Sequence, residues 1–165
     1  MPNFDYEAPT SLDEALELLA QPGEVRPLAG GTDIIDQLKQ NRRNVDLMID
    51  TKRIPELLVL DSNGSGLRIG SAVSCTEVSK FTSGSRRFTA LSDSVELIGS
   101  VHIQNRATIG GNVCNAAPSA DTIPALLIHD AVAQTVRATG EREIPLIDFF
   151  AGPGQTVLQK GEILK

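Results

Sequence analysis

Leu28-Ala29-Gly30-Gly31-Thr32-Asp33 is the stretch on which the reading of this chain turns. The residues before it, Val25–Ala29, are short and largely apolar and read as a buried strand, and a helix is expected from Asp33 to about Gln40. Two glycines at a strand-to-helix junction remove two Cβ atoms and admit positive φ. Successive amides can then point one way and form an anion-binding nest, with the unpaired first N–H groups of the helix as further donors. Thr32 offers either a helix cap or a hydroxyl for a phosphate. Taken alone, the six residues read first as a tight turn with a threonine cap. They fit neither GxGxxG nor GxxxxGK[ST].

A second pair, Thr108-Ile109-Gly110-Gly111-Asn112, changes the balance, because Asn115, Ser119 and Asp121 follow it closely. Between Thr108 and Asp121 there is no Lys or Arg. Binding there would rest on backbone amides and side-chain dipoles rather than on charge neutralisation. Asp121 reads equally as the N-cap of the next helix. Two such loops in one chain favour a single extended anionic ligand held between them.

Outward from these loops, helices and strands mix without a regular strand–helix–strand repeat. Thr10 or Ser11 caps a first helix whose Leu12, Ala15, Leu16 and Leu19 share a face, and Gln21-Pro22-Gly23 ends it. Asp46–Asp50, Leu57–Leu60 and Leu67–Ala72 read as strands, the last two joined by a turn from Asp61 to Gly66. Helices are expected from Ser74 or Cys75 to Phe81, over Phe88–Ile98, and from about Asp121 to Ile128. Strands are expected over Ala131–Ala138, Ile144–Leu146 and Thr156–Leu158. The stretch from Gly99 to Asp121 reads as a long loop, a length that is usually functional inside a compact domain. The whole predicts an α+β fold in two lobes.

The 165 residues suffice for a core without disulfides. With 41% hydrophobic and 22% charged residues, disorder, a collagen-like chain and a disulfide scaffold are poor readings. Fifteen Lys plus Arg against 21 Asp plus Glu give a net charge of −6, the wrong sign for a nucleic-acid partner. Cys75 and Cys114 form no CxxC pair and fit a reducing compartment. No signal-type leader and no apolar run of roughly 18 residues is visible, so a cytoplasmic protein without a membrane span is expected. His102 and His129 have no partner carboxylate or metal spacing. There is no Ser-His-Asp order, no HExxH and no carboxylate pair, so no catalytic residue and no metal ligand is assigned.

At this point a family resemblance becomes specific. Leu28–Asp33, together with the run from Ala107 through Thr108-Ile109-Gly110-Gly111-Asn112 and Asn115-Ala116-Ala117-Pro118-Ser119-Ala120-Asp121 to Leu126, resembles the FAD-binding medium subunit of molybdenum hydroxylases. That group includes xanthine dehydrogenases, carbon monoxide dehydrogenases and aldehyde and aromatic hydroxylases. Phe4-Asp5-Tyr6-Glu7-Ala8-Pro9-Thr10 is similar to the opening of that subunit. Phe149–Gly154 and Gly161-Glu162-Ile163-Leu164 are similar to its later part. His102 and Gln104 stand where the family carries Gln and Arg.

The resemblance implies a two-lobed FAD-binding fold of the type shared with vanillyl-alcohol-oxidase-like flavoproteins. The lobes would span residues 1–58 and 59–165, and the family's C-terminal domain would be absent. It implies FAD, bound non-covalently. Ala29, Gly30, Gly31, Thr32, Asp33 and Ile34 would cradle the pyrophosphate, and Thr108, Ile109, Gly110, Gly111 and Asn112 would form the opposing loop. Asp121 would reach the ribityl or ring-proximal part, and Ile163 or Leu164 would approach the flavin ring. It also implies two partners, a molybdopterin-binding large subunit and an iron–sulfur small subunit. These would hold the molybdopterin and the [2Fe-2S] clusters, and electrons would pass from them through FAD to an acceptor such as NAD or oxygen. Two other readings stay open: a self-contained FAD-dependent oxidase fragment, and a non-catalytic assembly module that has lost FAD.

Overall fold

The computed structural model describes residues 3–165. Its first sheet is parallel and contains β1 (Asp5–Glu7), β3 (Leu47–Asp50) and β2 (Val25–Leu28), in the order β1-β3-β2. The central strand β3 is buried along its whole length, as a strand flanked on both sides must be. Between β1 and β2 runs α1 (Leu12–Leu19). Its cap is Ser11, whose hydroxyl accepts from the Glu14 amide, and its buried face is Ala15, Leu16 and Leu19. After β2 comes α2 (Ile34–Lys39), and Leu38 packs with Val45 and Met48 beneath it.

The chain leaves this sheet through a 3-10 turn at Pro55–Leu57, where a strand over Leu57–Leu60 was expected. Proline fixes φ and starts the turn. The strand begins later, as β4 (Leu60–Ser62), and pairs with β5 (Leu67–Ile69). Then follow α3 (Cys75–Thr82), closed by a capping box between Ser74 and Glu77, and α4 (Thr89–Glu96).

The expected long loop from Gly99 to Asp121 contains two helices, α5 (Val101–Gln104) and α6 (Ile109–Asn115). Two glycines argue against a helix by propensity. Packing overrides that preference here, because Gly110 lies buried against Ser71, where a Cβ would come within 2.5 Å of the Ser71 backbone. Thr108 caps α6 by accepting from the Gly111 amide at 2.9 Å.

After α7 (Thr122–Ile128), β6 (Val132–Arg137) and β7 (Gly140–Pro145) form an antiparallel pair. The expected Thr156–Leu158 strand is shorter: β9 (Gln155–Thr156) pairs with β8 (Phe150–Gly152). A strand that the pattern did not announce, β10 (Ile163–Leu164), adds to the other edge of β6. Two apolar residues are too few for a periodicity signal, and only their pairing with Val136 and Thr135 makes them a strand.

The largest core cluster centres on Phe149, Leu91, Val95, Val78 and Leu146. A second joins α1 and the parallel sheet to Ala72, Val136 and Ile163, and so ties the first part of the chain to the last.

Candidate functional site

The two glycine loops meet in space. A Cβ at Gly30 would fall 2.1 Å from the Arg106 carbonyl oxygen and 2.8 Å from the Ala107 Cα, so the first loop lies directly on the segment that leads into the second. Between them opens a cleft of about 690 Å³, within the size range of cofactor sites. Ala29, Gly30, Gly31, Thr32, Asp33 and Ile34 line one wall, and Thr108, Gly110, Gly111 and Asn112 line the other. The segment Gly154–Thr156 and Leu158–Leu164 closes the third side.

The first loop follows the C-terminal end of β2, the edge of a parallel sheet at which ligands commonly bind. Its first two carbonyls are taken up by the segment that follows β3. Leu28 O accepts from the Thr51 amide at 3.1 Å, and Ala29 O accepts from Lys52 Nζ at 3.0 Å. Its amides are not taken up: among the described residues, the N–H groups of Gly30, Gly31, Thr32, Asp33 and Ile34 donate to no protein acceptor. Gly31 has φ +77°, which turns the peptides at the mouth of the cleft. Thr32 does not cap α2. Asp33 holds the cap position without a side-chain cap bond, and its carboxylate accepts instead from Gln37. α2 and α6 have six and seven residues, so the free loop amides supply the donors rather than a long helix dipole.

On the opposite wall, Asn112 Oδ1 accepts from the Thr122 hydroxyl at 2.6 Å, which fixes the side-chain amide at the start of α7. Gln37 Nε2 reaches Asn115 Oδ1 at 3.4 Å and links α2 to α6 across the cleft. Arg26, Arg43 and Lys160 bring cationic groups to a cleft of an acidic chain. The sequence reading missed all three, since no motif distinguishes them from solvated surface charge. The Nε of Arg26 is buried without a hydrogen-bond partner, while its outer nitrogen pairs with Glu24 at 3.2 Å.

Two expected residues do not line the cleft. Ile109 is buried in α6 and borders a second cavity of about 430 Å³, which also touches Gly110 and Leu164. Asp121 is exposed before α7. Its own backbone is helical and it makes no side-chain cap bond, so it is neither a cleft residue nor a working cap. Thr122, not Asp121, makes the contact to the second loop.

Leu164 does line the cleft, and an ion pair between a buried carboxylate and a partly exposed arginine holds its segment. Glu162 is 6% exposed. It accepts from Arg142 at 2.6 and 2.8 Å, from the Thr135 hydroxyl at 2.5 Å and from the Gln159 amide at 2.8 Å. Burial opposes its charge, but these donors and the Arg142 cation outweigh burial and hold the carboxyl at about 2, below its ordinary 4.5. A carboxylate whose folded pKa is depressed stabilises the fold above its unfolded pKa and loses that contribution as pH falls through the folded one. We therefore expect Glu162→Gln to lower the urea midpoint at neutral pH and to flatten its fall between roughly pH 4.5 and 2. Equal acid slopes in the two proteins would show that the pair does not govern acid stability.

Both cysteines are free; Cys75 is buried, and burial pushes its thiol up to about 11. Among the described residues there is no group of three metal-ligating side chains, and no helix is long and apolar enough to cross a membrane.

Comparison with known proteins agrees with this geometry. The family model described as the FAD binding domain in molybdopterin dehydrogenase matches residues 2–165. The xanthine dehydrogenase FAD-binding subunit of Escherichia coli O157:H7 is 37% identical over 161 residues, covering 96% of this chain and 55% of that protein. The carbon monoxide dehydrogenase medium chain of Hydrogenophaga pseudoflava is 31% identical over 171 residues, covering 99% and 57%. A solved structure of carbon monoxide dehydrogenase from Hydrogenophaga pseudoflava superposes with a TM-score of 0.89 at 30% identity, again over 99% and 57%. The chain thus spans a little over half the length of these relatives. With its model matched over nearly every residue and its two glycine loops facing one cleft, the chain belongs to the family of FAD-binding domains of molybdopterin dehydrogenases.

Proposed function

We propose that this chain binds FAD non-covalently in the cleft and serves as the FAD-binding part of a molybdenum hydroxylase, passing electrons from partner iron–sulfur clusters to an acceptor such as NAD or oxygen. The observation that carries the reading is the run of five successive amides, Gly30 to Ile34, that have no protein acceptor among the described residues and border a cleft of cofactor size. A diphosphate is the part of FAD that such a run suits. Ala29 to Ile34 then hold the diphosphate, with Arg26, Arg43 and Lys160 as nearby cations. Thr108, Gly110, Gly111 and Asn112 form the facing wall, and Leu164 covers the flavin ring. Ile109 supports that wall from behind. Asp121 is assigned only through the family resemblance.

The redox chemistry is the flavin's. The chain's own residues bind, orient and shield, and this work needs no acid–base group. The proposed lobes are residues 1–58 and 59–165, with the cleft between them as in vanillyl-alcohol-oxidase-like flavoproteins. The substrate and the molybdopterin belong to the proposed large-subunit partner, and the clusters to the small one. The two unpaired cysteines suit a cytoplasmic setting.

One set of measurements tests this reading. The purified chain should bind FAD more tightly than FMN, and denaturation should release all of it. Mixed with molybdopterin and iron–sulfur subunits, it should show substrate-dependent bleaching of the flavin only in the complete assembly. Equal affinity for FMN would contradict the diphosphate assignment. Turnover of an organic substrate by the isolated chain with FAD would favour a self-contained oxidase. Absence of any flavin binding would favour an assembly module.

A further inference from the structure

Lys52 does not line the cleft, yet it is fastened to the loop that does. Its Nζ donates to Ala29 O at 3.0 Å and pairs with Asp50 Oδ1 at 2.7 Å. Asp50 is 7% exposed at the end of β3, and its other oxygen accepts from the Tyr6 hydroxyl at 2.5 Å, at the neighbouring strand β1. The Lys52 amide returns to Asp50 Oδ1 at 2.9 Å, which fixes the turn out of the strand. A chain of contacts therefore runs from Tyr6 through Asp50 and Lys52 to Ala29, along the end of the parallel sheet and behind the first glycine loop.

The geometry of one peptide unit gives this chain a consequence. In a trans peptide the carbonyl and the following N–H point in opposite directions. The Ala29 carbonyl and the Gly30 N–H belong to the same unit, and no cis bond is present among the described residues. A cation holding Ala29 O from behind therefore directs the Gly30 N–H away from itself, and that N–H has no protein acceptor among the described residues. Glycine on the C-terminal side of the unit lets this peptide rotate freely unless something holds it. The same cation withdraws charge through the amide and makes the N–H a stronger donor. Thr51, which donates from both its amide and its hydroxyl to Leu28 O, holds the preceding unit in the same way.

We propose that Lys52 is a positioning residue for diphosphate binding: oriented by Asp50 and Tyr6, it locks the Ala29–Gly30 peptide so that the Gly30 amide faces the ligand. This rests on the proposed diphosphate role of the loop. Lys52 touches no ligand and bears no part of the redox chemistry. It removes the need to turn a peptide when the anion arrives, and so it acts on the phosphates alone.

The test is Lys52→Met, which keeps the apolar stem and removes the donor. FAD and ADP titrations of the 165-residue chain should both weaken about tenfold, the scale of a lost charge-assisted hydrogen bond. Affinity for riboflavin, which has no phosphate, should stay as in wild type. In the ligand-free protein the Ala29 carbonyl-carbon resonance should move upfield, since its hydrogen bond is gone. Unchanged FAD and ADP affinities would overturn the proposal while leaving the FAD assignment intact. An equal loss for riboflavin would also overturn it, because that is the mark of general destabilisation. If wild type binds neither FAD nor ADP, the diphosphate reading of the loop falls and the proposal falls with it.

Discussion

Gly111→Val should leave the chain folded and reduce FAD affinity about a hundredfold or more, a loss of roughly 2.7 kcal/mol of binding. The position lies in the first turn of α6 and opens onto the cleft. A Cβ placed there meets only the Thr108 hydroxyl, at 3.0 Å, and that small side chain needs to give by only a few tenths of an ångström. Valine is also a better helix residue than glycine, so the expected stability change is within about 1 kcal/mol. The branched side chain instead fills space that the proposed FAD must occupy. Gly31→Val should lose FAD as well, but φ is +77° there, and a left-handed residue costs about 1–2 kcal/mol of fold in addition. Far-ultraviolet circular dichroism beside flavin titration reads both effects. A folded Gly111→Val protein with wild-type affinity would show that the second loop is structural only.

Gly30→Ala should do the opposite and break the fold rather than the site. One methyl at this position would sit 2.1 Å from the Arg106 carbonyl oxygen and 2.8 Å from two further backbone atoms. Backbone on both sides cannot swing aside as a side-chain tip can, so the two loops must separate. Overpacking of this kind costs about 3 kcal/mol or more. For a chain of this size that corresponds to a fall of about 1–2 M in the urea midpoint. FAD binding should disappear along with the loop apposition. A Gly30→Ala protein with a wild-type midpoint would mean that the loops are not in contact in solution. The adjacent glycines of each pair thus have different duties: Gly30 and Gly110 let backbone meet backbone, while Gly31 turns the chain and Gly111 leaves the cleft open.

Much of this was legible in the order of residues, for local physical reasons. Ser11 with the Leu16–Leu19 face sets α1, and Ser74 with Glu77 sets the start of α3, because a cap and its helix are neighbours in sequence. The apolar run within Asp46–Asp50 announced a strand, found as β3 over Leu47–Asp50, and the two glycine pairs both border the cleft. Other features depend on residues far apart, and here local preference misled. Glycine-rich α6 is a helix because Gly110 packs on Ser71, and β10 is a strand because β6 offers it an edge. Asp121 reads locally as a helix cap, but the folded chain gives the contact with the second loop to Thr122 and leaves Asp121 in solvent without a cap bond.

Residue order alone places a glycine pair after a strand and so frees the backbone there. Which half of a peptide stays available there depends on residues brought in from far along the chain. Thr51 and Lys52 occupy the carbonyls of Leu28 and Ala29, and the Arg106 backbone lies directly on Gly30. Among the described residues, the amides from Gly30 to Ile34 are left without a protein acceptor. A peptide carries its donor and its acceptor on opposite edges, so fixing the one edge through distant residues sets the direction of the other, and on this rests the anion-binding role proposed for the loop.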